Sequence, residues 1–282
     1  MPSTSMNKIV LPNLIFCLFF CGEMHAQFGT PQIITTSELP HIVSAVKKMT
    51  VHDLDGNGRL DIVATSPTGA TFFLSDGLGS FHAPEPLLDA DFASIPVGFF
   101  GAQFADLDGD GIADLAVGVY WRKGLGSGQF EPQQAVFEKN VALLLDADGD
   151  FLPDAILADS DAVFWQKNLG NGNFGSSQML TNAANPLIFN AVDLDGDDKP
   201  DFIARQTNGC FWYKNLGGGS FQPIQLFAGA PENLATTDMD GDGKTELIFN
   251  VGANIDWLEF DETGQATLLQ TISTKFKTGR GF

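Results

Sequence analysis

Five short acidic segments of one pattern constrain this chain more than anything else in it. They read Asp53-Leu-Asp-Gly-Asn-Gly-Arg-Leu-Asp61, Asp106-Leu-Asp-Gly-Asp-Gly-Ile-Ala-Asp114, Asp146-Ala-Asp-Gly-Asp-Phe-Leu-Pro-Asp154, Asp193-Leu-Asp-Gly-Asp-Asp-Lys-Pro-Asp201 and Asp238-Met-Asp-Gly-Asp-Gly-Lys-Thr-Glu246. Their first residues lie 53, 40, 47 and 45 positions apart. A period of about 20 to 50 residues marks stacked supersecondary units, each unable to bury its apolar face alone.

A second landmark follows each segment. Phe72, Trp165, Trp212 and Trp257 stand 19 residues after the first Asp of their segment, and Trp121 stands 15 after. Nine residues beyond the first four aromatics come Phe81, Phe130, Phe174 and Phe221, each preceded by a glycine-rich turn such as Asn168-Leu-Gly-Asn-Gly-Asn-Phe174; the fifth module has Ala266 there. Each module therefore reads as strand, acidic loop, strand, hairpin, aromatic strand, glycine turn and fourth strand. In the third module these strands are expected near Val141–Leu145, Ala155–Ala158, Ala162–Gln166 and Ser176–Leu180. The expected fold is all-β, a propeller of four-stranded antiparallel blades with about five repeats. The 31 Gly, 25 Phe and 14 Pro, without sustained helical patterning, agree. Modules are placed at about 44–90, 91–138, 139–182, 183–229 and 230–273, with 274–282 opening a further one. The segment Pro31-Gln-Ile-Ile-Thr-Thr36 reads as a fourth strand without its own blade. Either the ring closes imperfectly with five blades or the chain is a truncated member.

Side-chain oxygens at loop positions 1, 3, 5 and 9, with the carbonyl of position 7, make a hard oxygen cage suited to Ca²⁺, which takes about six to eight oxygens. The expected ligands are Asp53, Asp55, Asn57, Arg59 and Asp61; Asp106, Asp108, Asp110, Ile112 and Asp114; Asp146, Asp148, Asp150, Leu152 and Asp154; Asp193, Asp195, Asp197, Lys199 and Asp201; and Asp238, Asp240, Asp242, Lys244 and Glu246. Arg59, Ile112, Leu152, Lys199 and Lys244 enter only through their backbone carbonyls. An EF-hand is excluded, because its bidentate Glu at position 12 is replaced by Ala64, Val117, Leu157, Ala204 and Phe249. The cage positions hold 19 of the 35 acids, and the rest nearly balance the 15 bases, so the cages carry almost all of the net charge of −20. Without a cation such carboxylates repel; a divalent ion makes them cohesive. Up to five calcium sites are expected. The first and third are expected to be weakest, since Asn57 replaces a carboxylate and since, if position 6 requires a positive φ, Asp198 tolerates it there and Phe151 does not.

The N-terminus carries Lys8 and then an apolar run from Ile9 to Cys21, too short for a permanent span and read as a secretory signal over 1–26, cleaved after Ala26. A rival is lipoprotein processing at Cys21, although Phe20 stands where a small residue is required. Residues 27–282 would form the mature repeat domain. It keeps only Cys210, so no disulfide staples it within the chain, and His41, His52 and His82 show no zinc-ligand spacing. The acidity argues against a nucleic-acid partner.

The loop pattern Asp-x-Asp-Gly-Asp-Gly-x-x-Asp followed by an apolar strand, repeated, resembles the FG-GAP/VCBS repeat family. That resemblance covers nearly all of the mature chain and implies a propeller with calcium in the loop joining the first two strands of each blade. It also implies roles in adhesion, carbohydrate or protein recognition, and in some members polysaccharide cleavage. The residues that name the family are only loosely represented here, in Phe99-Phe100-Gly101-Ala102, which is closer to the bacterial secreted branch.

Three functional readings remain open at this level. One is an extracellular recognition or adhesion module for carbohydrate or protein, another a polysaccharide lyase or hydrolase, and the third a structural fragment of a larger adhesin. No catalytic constellation is visible in the sequence. The recurring aromatics are expected to pack between blades, with stacking on sugar as the alternative. Lys123, Lys167 and Lys214, each two residues after a Trp, are expected to solvate an outer strand or to bind acidic glycans.

Overall fold

A computed structural model of the chain describes residues 48–66, 69–78, 80–82, 85–86, 101–229, 231, 233–251, 254–261 and 265–273. The proposed signal, Pro31–Thr36, His41, Phe99, Phe100 and the segment from Lys275 to Phe282 lie outside them. Among the described residues there are 24 strands and no helix, hence none long and apolar enough to cross a membrane.

Five four-stranded antiparallel sheets follow one another as the blades of a five-bladed propeller. The first holds β1 (Lys48–His52), β2 (Asp61–Ser66), β3 (Gly69–Phe73) and β4 (Glu85–Pro86). The second holds β5 (Gln103–Ala105), β6 (Asp114–Val117) and β7 (Tyr120–Arg122); a small hairpin of β8 (Gly124–Gly126) and β9 (Gln129–Phe130) precedes its outer strand, β10 (Gln134–Ala135). The third repeats this plan with β11 (Asn140–Leu145), β12 (Asp154–Ala158), β13 (Ala162–Gln166), the hairpin β14 (Asn168–Gly170) and β15 (Asn173–Phe174), and β16 (Gln178–Asn182). In the fourth the small hairpin is continuous with the blade, giving β17 (Leu187–Val192), β18 (Asp201–Gln206), β19 (Gly209–Gly217) and β20 (Ser220–Phe227). The fifth holds β21 (Asn233–Thr237), β22 (Glu246–Val251), β23 (Asn254–Phe260) and β24 (Ala266–Ser273). Each acidic loop joins the first two strands of its blade. In the third module the outer strand begins two residues later than expected, because a register shift between Val163 and Phe164 moves its pairing.

The aromatic landmarks serve the faces between blades except at Phe81 and Trp257, which are partly buried and belong to none of the four clusters. Four apolar clusters each draw from two successive sheets. Leu54, Val63 and Phe72 meet Phe104 and Leu115. Leu107 and Trp121 meet Val141 and Leu157. Ile156 and Trp165 meet Ile188 and Phe202. Ile203 and Trp212 meet Leu247 and Phe260. Phe72, Trp121, Trp165 and Trp212 are all buried, so inter-blade packing takes them and no ring face is left for sugar. Phe130, Phe174 and Phe221 plug the same clusters from the following blade.

The glycine turns recur because the following blade lays its backbone directly on the preceding aromatic. A Cβ at Gly128 would lie 2.7 Å from the Phe72 ring, one at Gly172 2.1 Å from Trp121, and one at Gly219 2.2 Å from Trp165. The same hairpins reach the preceding acidic loop: Gly128 N–H donates to Leu54 O at 3.2 Å and Gly219 N–H to Ala147 O at 3.3 Å, and Asn168 Nδ2 donates to Leu107 O at 3.0 Å. Blade packing and loop shape are thereby linked. Gly172→Ala is expected to cost about 2–3 kcal/mol, from overpacking on Trp121 together with left-handed strain at φ 70°. Gly111→Ala, at φ 87° with nothing within 4 Å, isolates the strain alone at about 1 kcal/mol. Urea unfolding of both variants checks the difference; equal losses would remove the inter-blade contact as the reason for the glycine.

Candidate metal centres

The acidic loops coil because position 1 gathers backbone donors. Asp106 Oδ1 accepts Gly109 N–H at 2.7 Å and Asp110 N–H at 3.1 Å, and its Oδ2 accepts Gly111 N–H at 2.7 Å. Asp53, Asp146 and Asp193 do the same, and Asp238 accepts from Gly241 and Gly243. Position 5 closes a smaller turn by accepting the N–H of position 7: Asn57 from Arg59, Asp110 from Ile112, Asp150 from Leu152, Asp197 from Lys199 and Asp242 from Lys244. Position 2 points the other way. Leu54, Leu107, Ala147 and Leu194 are buried between blades, whereas Met239 is 53% exposed.

This coil requires a left-handed residue at position 6 in every copy, whatever its side chain. Gly58, Gly111 and Gly243 have φ of 79°, 87° and 93°, while Phe151 takes 68° and Asp198 63°. The sequence expectation that Phe151 would not tolerate a positive φ is therefore corrected: the backbone bonds to Asp146 hold it there. The ring gains nothing in return, being 92% exposed. Phe151→Gly is expected to stabilise the protein by about 0.5–1 kcal/mol, the relief of strain exceeding the added entropy of the unfolded chain. A urea midpoint that falls would refute it.

Position 9 is the most constrained member. Asp61, Asp114, Asp154 and Asp201 are 0% exposed and Glu246 1%. One oxygen accepts the N–H of position 2, from Leu54, Leu107, Ala147, Leu194 or Met239, at 2.6 to 3.3 Å. In the first four blades the other oxygen accepts a backbone N–H from beyond the aromatic strand, Ser75 at 2.8 Å and Gly124, Asn168 and Asn215 each at 2.7 Å. Trp165 Nε1 adds a third donor to Asp154 at 3.0 Å. One carboxylate thus fastens the loop, the second strand and the glycine hairpin together. Burial pushes Asp154 and Asp201 up to about 6 and raises Asp114 and Glu246, because the anion lacks a compensating positive charge.

Carboxylate oxygens converge in all five loops, lying within 4.8 Å of one another. The groups are Asp53, Asp55 and Asp61; Asp106, Asp108 and Asp114; Asp146, Asp148 and Asp154; Asp193, Asp195 and Asp197; and Asp238, Asp240, Asp242 and Glu246. Asp110, Asp150 and Asp201 stand outside these groups, and all four expected acids meet only in the fifth. In the third and fourth loops Asp148 Oδ1 and Asp195 Oδ1 are buried without a hydrogen-bond partner, although Lys167 and Lys214 lie on the other oxygen of the same carboxylates. Each arrangement could hold a hard metal ion.

Lys123, Lys167 and Lys214 neither solvate the outer strand nor stand ready for a glycan. They cover the second, third and fourth loops, where Lys123 meets Asp108 and Asp110, Lys167 meets Asp148 and Asp150, and Lys214 meets Asp195. The recurrence is visible in the sequence, but the partners become evident only once strand three lies beside the loop.

A sequence model described as FG-GAP-like repeat matches residues 53–117, 146–204 and 193–249, more than half of the chain. Among solved structures, a lectin of Agrocybe aegerita, described by its specific recognition of non-reducing terminal N-acetylglucosamine, is 22% identical, with 79% of this chain and 66% of that chain covered and a TM-score of 0.58. The Tc holotoxin pore of Photorhabdus luminescens is 19% identical over 86% of this chain and 12% of that chain, with a TM-score of 0.50. The chain thus spans just under two thirds of the first and a small part of the second, and the likeness is one of fold. No curated protein sequence matches it.

Proposed function

The chain belongs to the FG-GAP-like repeat family, and from that premise we propose that it is a secreted, calcium-stabilised recognition module for carbohydrate. The observation that carries the metal part is the repeated convergence of carboxylates in loops whose side-chain donors are all oxygen. Calcium suits such donors, tolerates irregular coordination and needs no nitrogen or sulfur ligand. A divalent cation would favour the ionised form of the buried Asp154 carboxyl, which desolvation pushes up to about 6. The apolar leader from Ile9 to Cys21 supports export, and millimolar extracellular calcium would suit loops of this kind.

Carbohydrate is the favoured ligand class because the fold is shared with a sugar-recognising lectin. A groove of about 810 Å³ also runs between the fourth and fifth acidic loops, lined among others by Asp195, Asp197, Lys244, Thr245 and Phe260. Asp197, Lys244 and Thr245 offer both donors and acceptors there to a polyhydroxylated ligand. Binding of the secreted protein to a glycan array in calcium, and its loss in EGTA, is the expected result. Failure to bind any glycan in calcium would reject the carbohydrate reading, and turnover on a polysaccharide panel would replace recognition by catalysis.

A further inference from the structure

In three of the five acidic loops, a lysine of the same blade lies against the position 3 carboxylate, one of those expected to hold a cation. Side chains two apart on a strand share a face, so the residue two beyond each strand-three aromatic returns to the aromatic's side and reaches its own blade's loop. Lys123 Nζ there donates to Asp108 Oδ2 and Asp110 Oδ2. Lys167 Nζ donates to Asp148 Oδ2 and, at 2.7 Å, to Asp150 Oδ2. Lys214 Nζ pairs with Asp195 Oδ2 and lies 3.9 Å from Asp197 Oδ2. In the second and third loops, the lysine takes the position 5 oxygen left over by the backbone turns, and in all three it bridges positions 3 and 5. Their side chains are 26, 34 and 17% exposed.

The first and fifth loops differ at this one place. Leu74 stands there in the first blade and Glu259 in the fifth. Arg59, at position 7 of the first loop, lays its side chain over Gly77. Lys244, at position 7 of the fifth, pairs with Glu259 at the rim, 57% exposed and 3.8 Å from Asp242. Lys199, at the same position of the fourth loop, also stays at the rim, 2.8 Å from Asp197 Oδ2. With Arg59 and the strand-three lysines counted, the first loop is less negative than the second and third, so the distinction rests on the lysine lying against the carboxylates and not on charge.

We infer that the repeats form two classes: the second, third and fourth use their own lysine as a tethered counter-ion, while the first and fifth take calcium. This rests on the calcium reading above. A tethered ammonium competes at an effective concentration on the order of millimolar or more, so calcium enters a lysine-filled loop only by displacing it. The order of strengths therefore departs from the one expected from the loops alone: the first loop, despite Asn57, ranks above the second and fourth.

Calorimetric titration of the metal-stripped full chain with calcium chloride tests this. Two ions per chain are expected to bind with at least tenfold higher affinity than any others. Lys123→Met, Lys167→Met and Lys214→Met should each raise the number to three, and Glu259→Lys should lower it to one. Should a methionine variant fail to fold by circular dichroism, the corresponding Lys→Gln and the reverse exchange Leu74→Lys give the same reading. Five equivalent ions in the wild type, or folded lysine variants that stay at two, would overturn the two classes while leaving calcium binding intact. No heat with any variant would instead overturn the calcium reading beneath it.

Discussion

Asp154→Ala is expected to lower stability by about 4 kcal/mol, among the largest effects any single loop position can give. The carboxylate is fully buried and accepts the N–H groups of Ala147 and Asn168 and the indole of Trp165. Its removal leaves three buried donors unsatisfied, each worth about 1–3 kcal/mol. It also releases the hairpin that carries Gly172, which packs on Trp121 of the preceding blade. The control is Asp150→Ala in the same loop. Asp150 is exposed, accepts Leu152 N–H and faces Lys167, so its loss should cost about 1 kcal/mol or less. Denaturant unfolding in excess EGTA separates this architectural role from any metal contribution. Equal losses for the two variants there would show that position 9 acts only as a ligand.

Chelation is expected to lower the melting temperature by roughly 10 °C or more. A site holding calcium at a hundred times its dissociation constant stabilises the folded state by about 2.7 kcal/mol. Two such sites together amount to about 5 kcal/mol, and each kcal/mol is worth about 2–4 °C for a domain of this size. The loss should be reversed by calcium and only weakly by magnesium, which dehydrates reluctantly. With lysines competing for the ion in the second to fourth loops, protection of backbone amides should fall mainly in the first and fifth blades. An unchanged melting temperature in EGTA would remove calcium as the staple of this fold.

Much of the architecture was legible from residue spacing. The recurrence of Asp at positions 1, 3 and 9, Gly at position 4 and an aromatic at fixed distance places a loop, a hairpin and a buried strand in each blade. The partners of these residues were less legible. Asp154 reads as one more ligand until Asn168, fourteen residues on, is seen donating to it. Phe151 reads as an exception to a glycine rule until Asp146 is seen holding its amide. Trp121 reads as a ring packed between blades, but what covers it is not evident until Gly172 of the next blade is seen lying on it.

By itself the sequence determined the number of modules, the all-β class, the place of each acidic loop between the first two strands, and where almost all of the net charge lies. These follow from local chemistry and period: turn residues, strand alternation and the count of carboxylates need no knowledge of what packs on what. Only the tertiary structure decided which oxygens remain for an ion. That depends on donors brought in from strand three and from the following blade, whose distance along the chain varies with hairpin length. Lys123, Lys167 and Lys214 are three ordinary lysines in the sequence; the fold lays each across its own loop, against the position 3 acid.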